Sequence, residues 1–281
     1  MRMAFSVFKI YLQFALQDDI MKIILRMESI MPRFFVDKEN INESTVILTG
    51  ADAHHVARSL RMAVGETITV CDTDANEYEC RIDGFEDDRE VQLGIISVRP
   101  STTEPRCHIT LYQALPKGDK LDTVIQKAVE CGVCEVVPFE SERCIVRVKE
   151  DAEQRKTERR ARIAAEAAKQ CGRSILPGVS KTVSYTQMIE RASGASLCLF
   201  CYEGEGTQPI GRVLLETVGK DIEKYPSIAV VVGSEGGFSK DEARAAADAG
   251  MVLTGLGKRI LRTETAPLFA LSCIALITEL T

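Results

Sequence analysis

Ile228-Ala229-Val230-Val231-Val232-Gly233-Ser234-Glu235-Gly236-Gly237-Phe238-Ser239 is an apolar run that ends in a glycine-rich turn. Ile228 to Val232 has the length and composition of a buried strand. Gly233, Gly236 and Gly237 then permit positive φ and a close approach of main chain to a ligand. Ser239 to Glu242 reads as an N-cap followed by acidic first-turn residues, so a helix begins there. On this stretch alone, a plain strand-to-helix loop and a ligand site are equally good readings, because short glycine motifs carry a high false-positive risk.

A second turn about twenty residues on changes the balance. Gly255 and Gly257 follow the apolar run Met251-Val252-Leu253, and Lys258, Arg259 and Arg262 crowd beside them. Thr263 to Ala266 open a last apolar helix that runs through Leu268, Leu271, Ile274 and Ile277. Two glycine turns at the ends of adjacent strands point to one shared pocket. That pocket is not a dinucleotide site, which needs G-x-G-x-x-G after an early strand. Nor is it a P-loop, since Gly257-Lys258 is followed by Arg259 and lacks the earlier glycine. NAD and ATP are poor fits.

Strand and helix alternate through the second half: His108 to Gln113, Lys120 to Cys131, Glu135 to Phe139, Arg155 to Cys171, Ser196 to Cys201, Gly211 to Val218, Ile228 to Val232, and Lys240 to Ala249. This alternation predicts an open α/β domain with a largely parallel sheet, and general topology rules predict an unknotted chain. From Pro32 to about Arg99 the pattern is instead short alternating strands (Thr45 to Leu48, Thr67 to Cys71, Glu77 to Ile82, Val91 to Val98) interrupted by one helix, Ala51 to Met62. Such spacing predicts a small barrel. Pro100 to Pro105, rich in Ser and Thr, is the natural linker. The expected division is therefore an extension over 1–30, a barrel over 31–100 and an α/β domain over 106–281.

Composition fits a globular cytoplasmic protein: 281 residues, 45% hydrophobic and 27% charged, enough for two cores. The ten cysteines are scattered, and no secretory segment makes a disulfide framework the better reading. Cys131/Cys134 and Cys198/Cys201 have C-x-x-C spacing. The second pair lies in an apolar strand whose positions three apart face opposite sides, and the first lacks nearby histidines, so no metal is expected. Residues 1–30 contain no uninterrupted apolar stretch long enough for a membrane span, and are expected to be either sequence upstream of the true start or an amphipathic helix. The net charge of −6 argues against indiscriminate binding of polyanions. Yet Ser141 to Arg173 holds ten basic residues against six acidic ones, a run that is more often a solvated helix face than a binding surface.

These two turns resemble the cofactor-binding end of the SPOUT class of RNA methyltransferases, and in detail the ribosomal RNA small subunit methyltransferase E family. Four further stretches are similar to the same family: Met31-Pro32-Arg33-Phe34-Phe35; His54-His55 with Arg58, Leu60-Arg61 and Gly65-Glu66; Lys117 to Asp122 with Ile125 to Val133; and Ala165 to Arg173. The likeness runs in order over 31–281. It departs at Ser234, where the family usually has proline, which implies a less rigid loop.

The resemblance implies a PUA-like RNA-binding barrel followed by a SPOUT domain with a deep trefoil knot, overruling the unknotted default, and a homodimer. It implies S-adenosyl-L-methionine as cofactor and N3 of a uridine in 16S rRNA of the small ribosomal subunit as methyl acceptor. Main-chain groups of Leu256, Gly257, Ile260 and Leu261 would hold the adenine, Gly233, Glu235 and Gly236 the methionine side, with Leu199, Tyr202 and Thr265 completing the site. Arg262 is expected to stabilise the uridine anion, and Glu264 or Glu235 to accept the proton. Helix capping for Glu264 and loop stabilisation for Glu235 are equally open roles. Arg33, Arg58 and Arg61 on the barrel and Lys117, Lys120, Lys127 and Arg173 on the second domain are expected on the RNA path. A ribosome-assembly factor without catalysis, or a methyltransferase for another RNA base, are the competing readings.

Overall fold

The computed structural model describes residues 31–86, 89–148 and 150–280, and the extension expected over 1–30 lies outside the described residues. The chain divides into two compact units. One gathers the described residues up to Phe34 with Asn42–Val70 and Tyr78–Ser97; the other gathers Phe35–Ile41, Cys71–Glu77 and everything from Val98 onward.

The N-terminal strands are β1 (Arg33–Phe35), β2 (Thr45–Thr49), β3 (Thr67–Cys71), β4 (Asn76–Glu86) and β5 (Glu90–Pro100), in the order β1-β3-β4-β5-β2. β2 runs antiparallel to β5, with Val46 opposite Leu93 and Leu48 opposite Val91. All four side chains are buried, and Thr45, Ile47 and Thr49 take the other face, as period-two alternation requires. The expected helix from Ala51 to Met62 is shorter. Helix α1 covers Gly50–His54 and passes into one π-helical turn at His55–Ser59. Arg61, with φ +53, sits in the left-handed region and ends it.

The second unit carries β6 (His108–Ala114), α2 (Lys120–Glu130), β7 (Glu135–Glu140), α3 (Glu150–Cys171), β8 (Gly178–Val179), β9 (Val183–Ser184), α4 (Tyr185–Ala192), β10 (Leu197–Cys201), β11 (Gln208–Pro209), α5 (Ile210–Glu216), β12 (Ser227–Val232), α6 (Lys240–Asp248), β13 (Val252–Gly255) and α7 (Ala266–Thr278). The strand order is β11-β13-β10-β12-β6-β7-β8, with β9 also on β7. Every recorded pairing in this sheet is parallel. β12 lies between β10 and β6, with Val230 opposite both Leu199 and Leu111. Covered on both faces, it reads as a continuous apolar run.

Sheet order also places the functional end. From β6 the chain moves one way to β7, and later strands fill the other side in the order β12, β10, β13. The loops after β6 and β12 therefore leave the sheet side by side at the point where the order reverses, which is where open parallel sheets bind ligands. Among the described residues no helix is long and apolar enough to cross a membrane.

Candidate active site

Loops at the carboxyl ends of β10, β12 and β13 enclose a cavity of about 790 Å³, within the range of small-molecule sites. Its walls are Cys201 to Gly204 after β10, Val232 to Phe238 after β12, and Gly255 to Thr263 after β13, with Lys120, Arg143 and Lys240 at the sides.

Each glycine has its own reason to be there. In the first turn only Gly237 has a left-handed backbone, at φ +61, and the Gly237 N–H donates to Ser234 O at 2.9 Å. Gly233 and Gly236 instead answer to crowding, so of the three glycines that permit positive φ one uses it. A Cβ on Gly233 would lie 3.2 Å from Gly237 Cα and from the Phe238 ring, and one on Gly236 would lie 2.9 Å from Arg143 Cβ. In the second turn Gly257 has φ +105 and open space around it.

The turns are cross-tied from beneath by residues that the sequence marked only as helix starts, Thr263 and Glu242, or did not single out, Gln113 and Arg143. Gln113, fully buried at the end of β6, donates from Nε2 to Gly233 O (3.3 Å), Thr263 Oγ1 (3.1 Å) and Ala114 O (3.0 Å). Thr263 Oγ1 in turn donates to Gly233 O at 2.8 Å. Arg143 donates from Nη1 to Gly236 O at 3.0 Å. Its own loop is held by Glu242, whose Oε1 accepts from Glu142 N at 2.8 Å while Oε2 accepts from Ser239 N at 2.9 Å in the capping box of α6. The signal for Glu242 was legible as a cap. That for Gln113 and Thr263 was not, because an isolated polar residue in sequence does not show its burial.

Lys120 links the two turns from above. Its Nζ is 2.8 Å from Glu235 Oε1 and 3.4 Å from Glu264 Oε2. The hydrogen bond to Glu235 leads the causes that raise the Lys120 ammonium above its ordinary range. Partial burial acts to raise Glu235, but Lys120, the N–H groups of Glu235 itself and of Lys117, and the nearby charge outweigh it and hold the carboxyl low. Lys117 N lies 3.2 Å from Glu235 Oε1. Arg262 Nη1 reaches Glu264 Oε1 at 4.0 Å, with the side chain 84% exposed. Glu264 lies outside the cavity wall and faces Lys120, and α7 is capped by Thr265 without a side-chain hydrogen bond. Burial pushes the Cys201 thiol up to about 12, with Cys273 adding to it, so this wall stays protonated and unreactive.

Tyr202, Gly233, Glu235, Gly236, Leu256, Gly257, Ile260 and Leu261 all line the cavity, as does Arg262. Two expected cofactor residues do not. Leu199 has no exposed surface, being sandwiched in the sheet, and Thr265 is exposed beyond the wall. Of the expected RNA residues, Lys120 belongs to the cavity, Lys117 is exposed beside it, and Lys127 pairs with Glu130 at 2.7 Å. Arg173 is a correction: it is 2% exposed and pairs with Glu104 at 2.6 Å, so it braces the interior and offers RNA nothing. Arg58 and Arg61 are exposed on the first unit and Arg33 is half-buried there. Among the described residues no cluster of three or more His, Cys, Asp or Glu side chains is placed to hold a metal ion.

A family model of the RNA methyltransferase domain matches residues 103–275, and one of the RNA methyltransferase PUA domain matches 48–96. The chain is 35% identical over 254 residues to the ribosomal RNA small subunit methyltransferase E of Bacillus subtilis (strain 168), covering 89% of this chain and 98% of the relative. It is 32% identical over 248 residues to that of Synechocystis, covering 88% and 78%. The crystal structure of a ribosomal RNA small subunit methyltransferase E from Neisseria gonorrhoeae bound to S-adenosyl methionine superposes with a TM-score of 0.75 at 31% identity, covering 88% of this chain and 97% of the other.

Proposed function

This chain belongs to the ribosomal RNA small subunit methyltransferase E family, and on that premise we propose that it methylates N3 of a uridine in 16S rRNA using S-adenosylmethionine. The observation that carries the reading is the single cavity built from two glycine turns, with a strand-end wall and an exposed guanidinium at its mouth.

The cavity fits the cofactor in size, and Gly233, Gly236 and Gly255 let its walls close up where a Cβ would collide with Gly237 and Phe238, with Arg143 and with Thr207. Main-chain groups of Leu256, Gly257, Ile260 and Leu261 would hold the adenine, with Gly233, Glu235 and Gly236 at the methionine end and Tyr202 as a further wall. S-adenosylmethionine, when bound, supplies a methyl group already activated on sulfonium, which leaves alignment as the main demand on the protein. The uridine must leave its stack to reach the site. Its N3 proton is retained at neutral pH, so the protein has to stabilise the anion that spreads onto the flanking carbonyls. Arg262 has the charge and the exposure for this, with Glu264 orienting it, and solvent at the exposed guanidinium takes the proton. Glu235, held ionised by Lys120 and Lys117, serves as a brace and is a weak base.

The same reading has the first unit as an RNA-binding module using Arg33, Arg58 and Arg61, functional modules at 31–100 and 106–281, a trefoil knot closed by α7, residence in the cytoplasm, and a homodimer. Self-association is supported by α7, which buries Pro267, Leu271 and Ile274 yet exposes Phe269 and Leu276 on its other face.

The test is incubation with labelled S-adenosylmethionine and unmodified 30S subunits, followed by nucleoside mass spectrometry of the 16S rRNA. Labelled 3-methyluridine is expected. Tight subunit binding with label-free RNA would favour an assembly factor, and label on another base would relocate the acceptor atom.

A further inference from the structure

The cavity wall carries six cations, Lys120, Arg143, Lys240, Lys258, Arg259 and Arg262, against two carboxylates, Glu203 and Glu235. This surplus sits in a chain whose net charge is −6. Lys120 is balanced by Glu235 and Glu264, and Arg143 is bound to Gly236 O. Lys240, Lys258 and Arg259 are exposed and have no ion pair among the described residues. Between Arg259 and Arg262, Ile260 lines the cavity and is still 83% exposed.

The cofactor cannot account for this surplus. S-adenosylmethionine has a sulfonium and an ammonium against one carboxylate and is itself a net cation at neutral pH, so a cationic wall repels it. The surplus suits a polyanion that approaches the same cavity from outside. We propose that the turn from Lys258 to Arg262 is two-sided: its main chain faces the cofactor, while Lys258 and Arg259 dock the phosphates of the single-stranded RNA next to the target uridine and Ile260 packs against a base.

This proposal rests on the methyltransferase reading and adds a physical consequence. The two reactants respond to salt with opposite signs. RNA affinity falls as salt rises because phosphate contacts release counterions. Cofactor affinity holds or rises, because salt screens the repulsion at the rim. Docked RNA neutralises the wall, so each reactant strengthens the binding of the other.

The experiment compares the full chain with a Lys258→Ala/Arg259→Ala double variant. S-adenosylmethionine is titrated calorimetrically without RNA at low and moderate salt, and unmodified 30S subunits are titrated by filter binding across a salt series. In the double variant, the slope of log affinity for subunits against log salt should become shallower by about 1.4 to 1.8, at ~0.7 to 0.9 for each lost phosphate contact. Cofactor affinity should stay within about twofold or tighten, since the two removed charges are exposed and screened. An unchanged slope with unchanged subunit affinity would overturn the proposal, as would a tenfold loss of cofactor affinity, which would assign these cations to the cofactor. Failure of the underlying reading shows separately, as a wild-type protein that takes up no S-adenosylmethionine at all.

Discussion

The two glycine turns look alike in sequence and differ physically. The turn after β12 is packed: Ser234 and Phe238 are buried, a Cβ on Gly233 or Gly236 would meet neighbours at 3.2 and 2.9 Å, and Arg143 clamps it from the side. The turn after β13 is open: Lys258, Arg259 and Ile260 are exposed, and Gly257 meets nothing but needs φ +105. A glycine in sequence can therefore report steric exclusion or backbone conformation, and only the structure says which. In the proposed function the packed turn is a fixed floor for the cofactor. The open turn can also meet a second reactant.

The largest effect should come from Gly236→Ala. The new methyl would meet Arg143 Cβ, which cannot swing away as the tip of a side chain could, so overpacking should cost about 1–3 kcal/mol of stability. The melting temperature and cofactor affinity should fall together in thermal unfolding and calorimetry; an unperturbed variant would show that the floor is not rigid. Gly257→Ala should behave differently. An alanine there disfavours φ +105, and the exposed turn, with open space around it, can rearrange locally instead of holding the strain, so cofactor affinity should drop several-fold while the melting temperature barely moves. Equal losses of stability in the two variants would erase the contrast.

Lys120 bridges Glu235 and Glu264 across the two turns, and pH probes that bridge. Glu235 has its folded pKa below the ordinary 4.5, so its contribution is fully present above that value and is lost as pH falls through the lowered folded value. Glu235→Gln should flatten the acid limb of the melting-temperature profile below about pH 4.5, and a profile parallel to wild type would argue that the brace contributes nothing. The smallest change on the site is expected from Ser239→Ala. Losing the capping box should cost about 1 kcal/mol, seen as a drop of about 2–4 °C in melting temperature, with cofactor affinity unmoved.

Much of the scaffold was legible in the sequence. β6, β12, α6 and α7 were placed to within a residue or two because their apolar periods and caps are local signals. Helix α4 escaped notice although Ser184 and Gln187 form a full capping box, since its apolar pattern is short. Both glycine turns and most of the cavity wall followed from local pattern and family likeness. Gln113, Thr263 and Arg143 did not, because their importance lies in partners 120, 30 and 93 residues away in the chain. Arg173 misled for the same reason: a basic residue at a helix end looks exposed until Glu104 is found beside it.

In the proposed function both turns, bridged by Lys120, form one cofactor site. Hydrogen–deuterium exchange with and without S-adenosylmethionine tests it most directly. Added protection is expected in peptides spanning Gly233–Phe238 and Gly255–Thr263 together, with Tyr202–Thr207 following. Protection of one turn alone, or of the N-terminal unit instead, would contradict it.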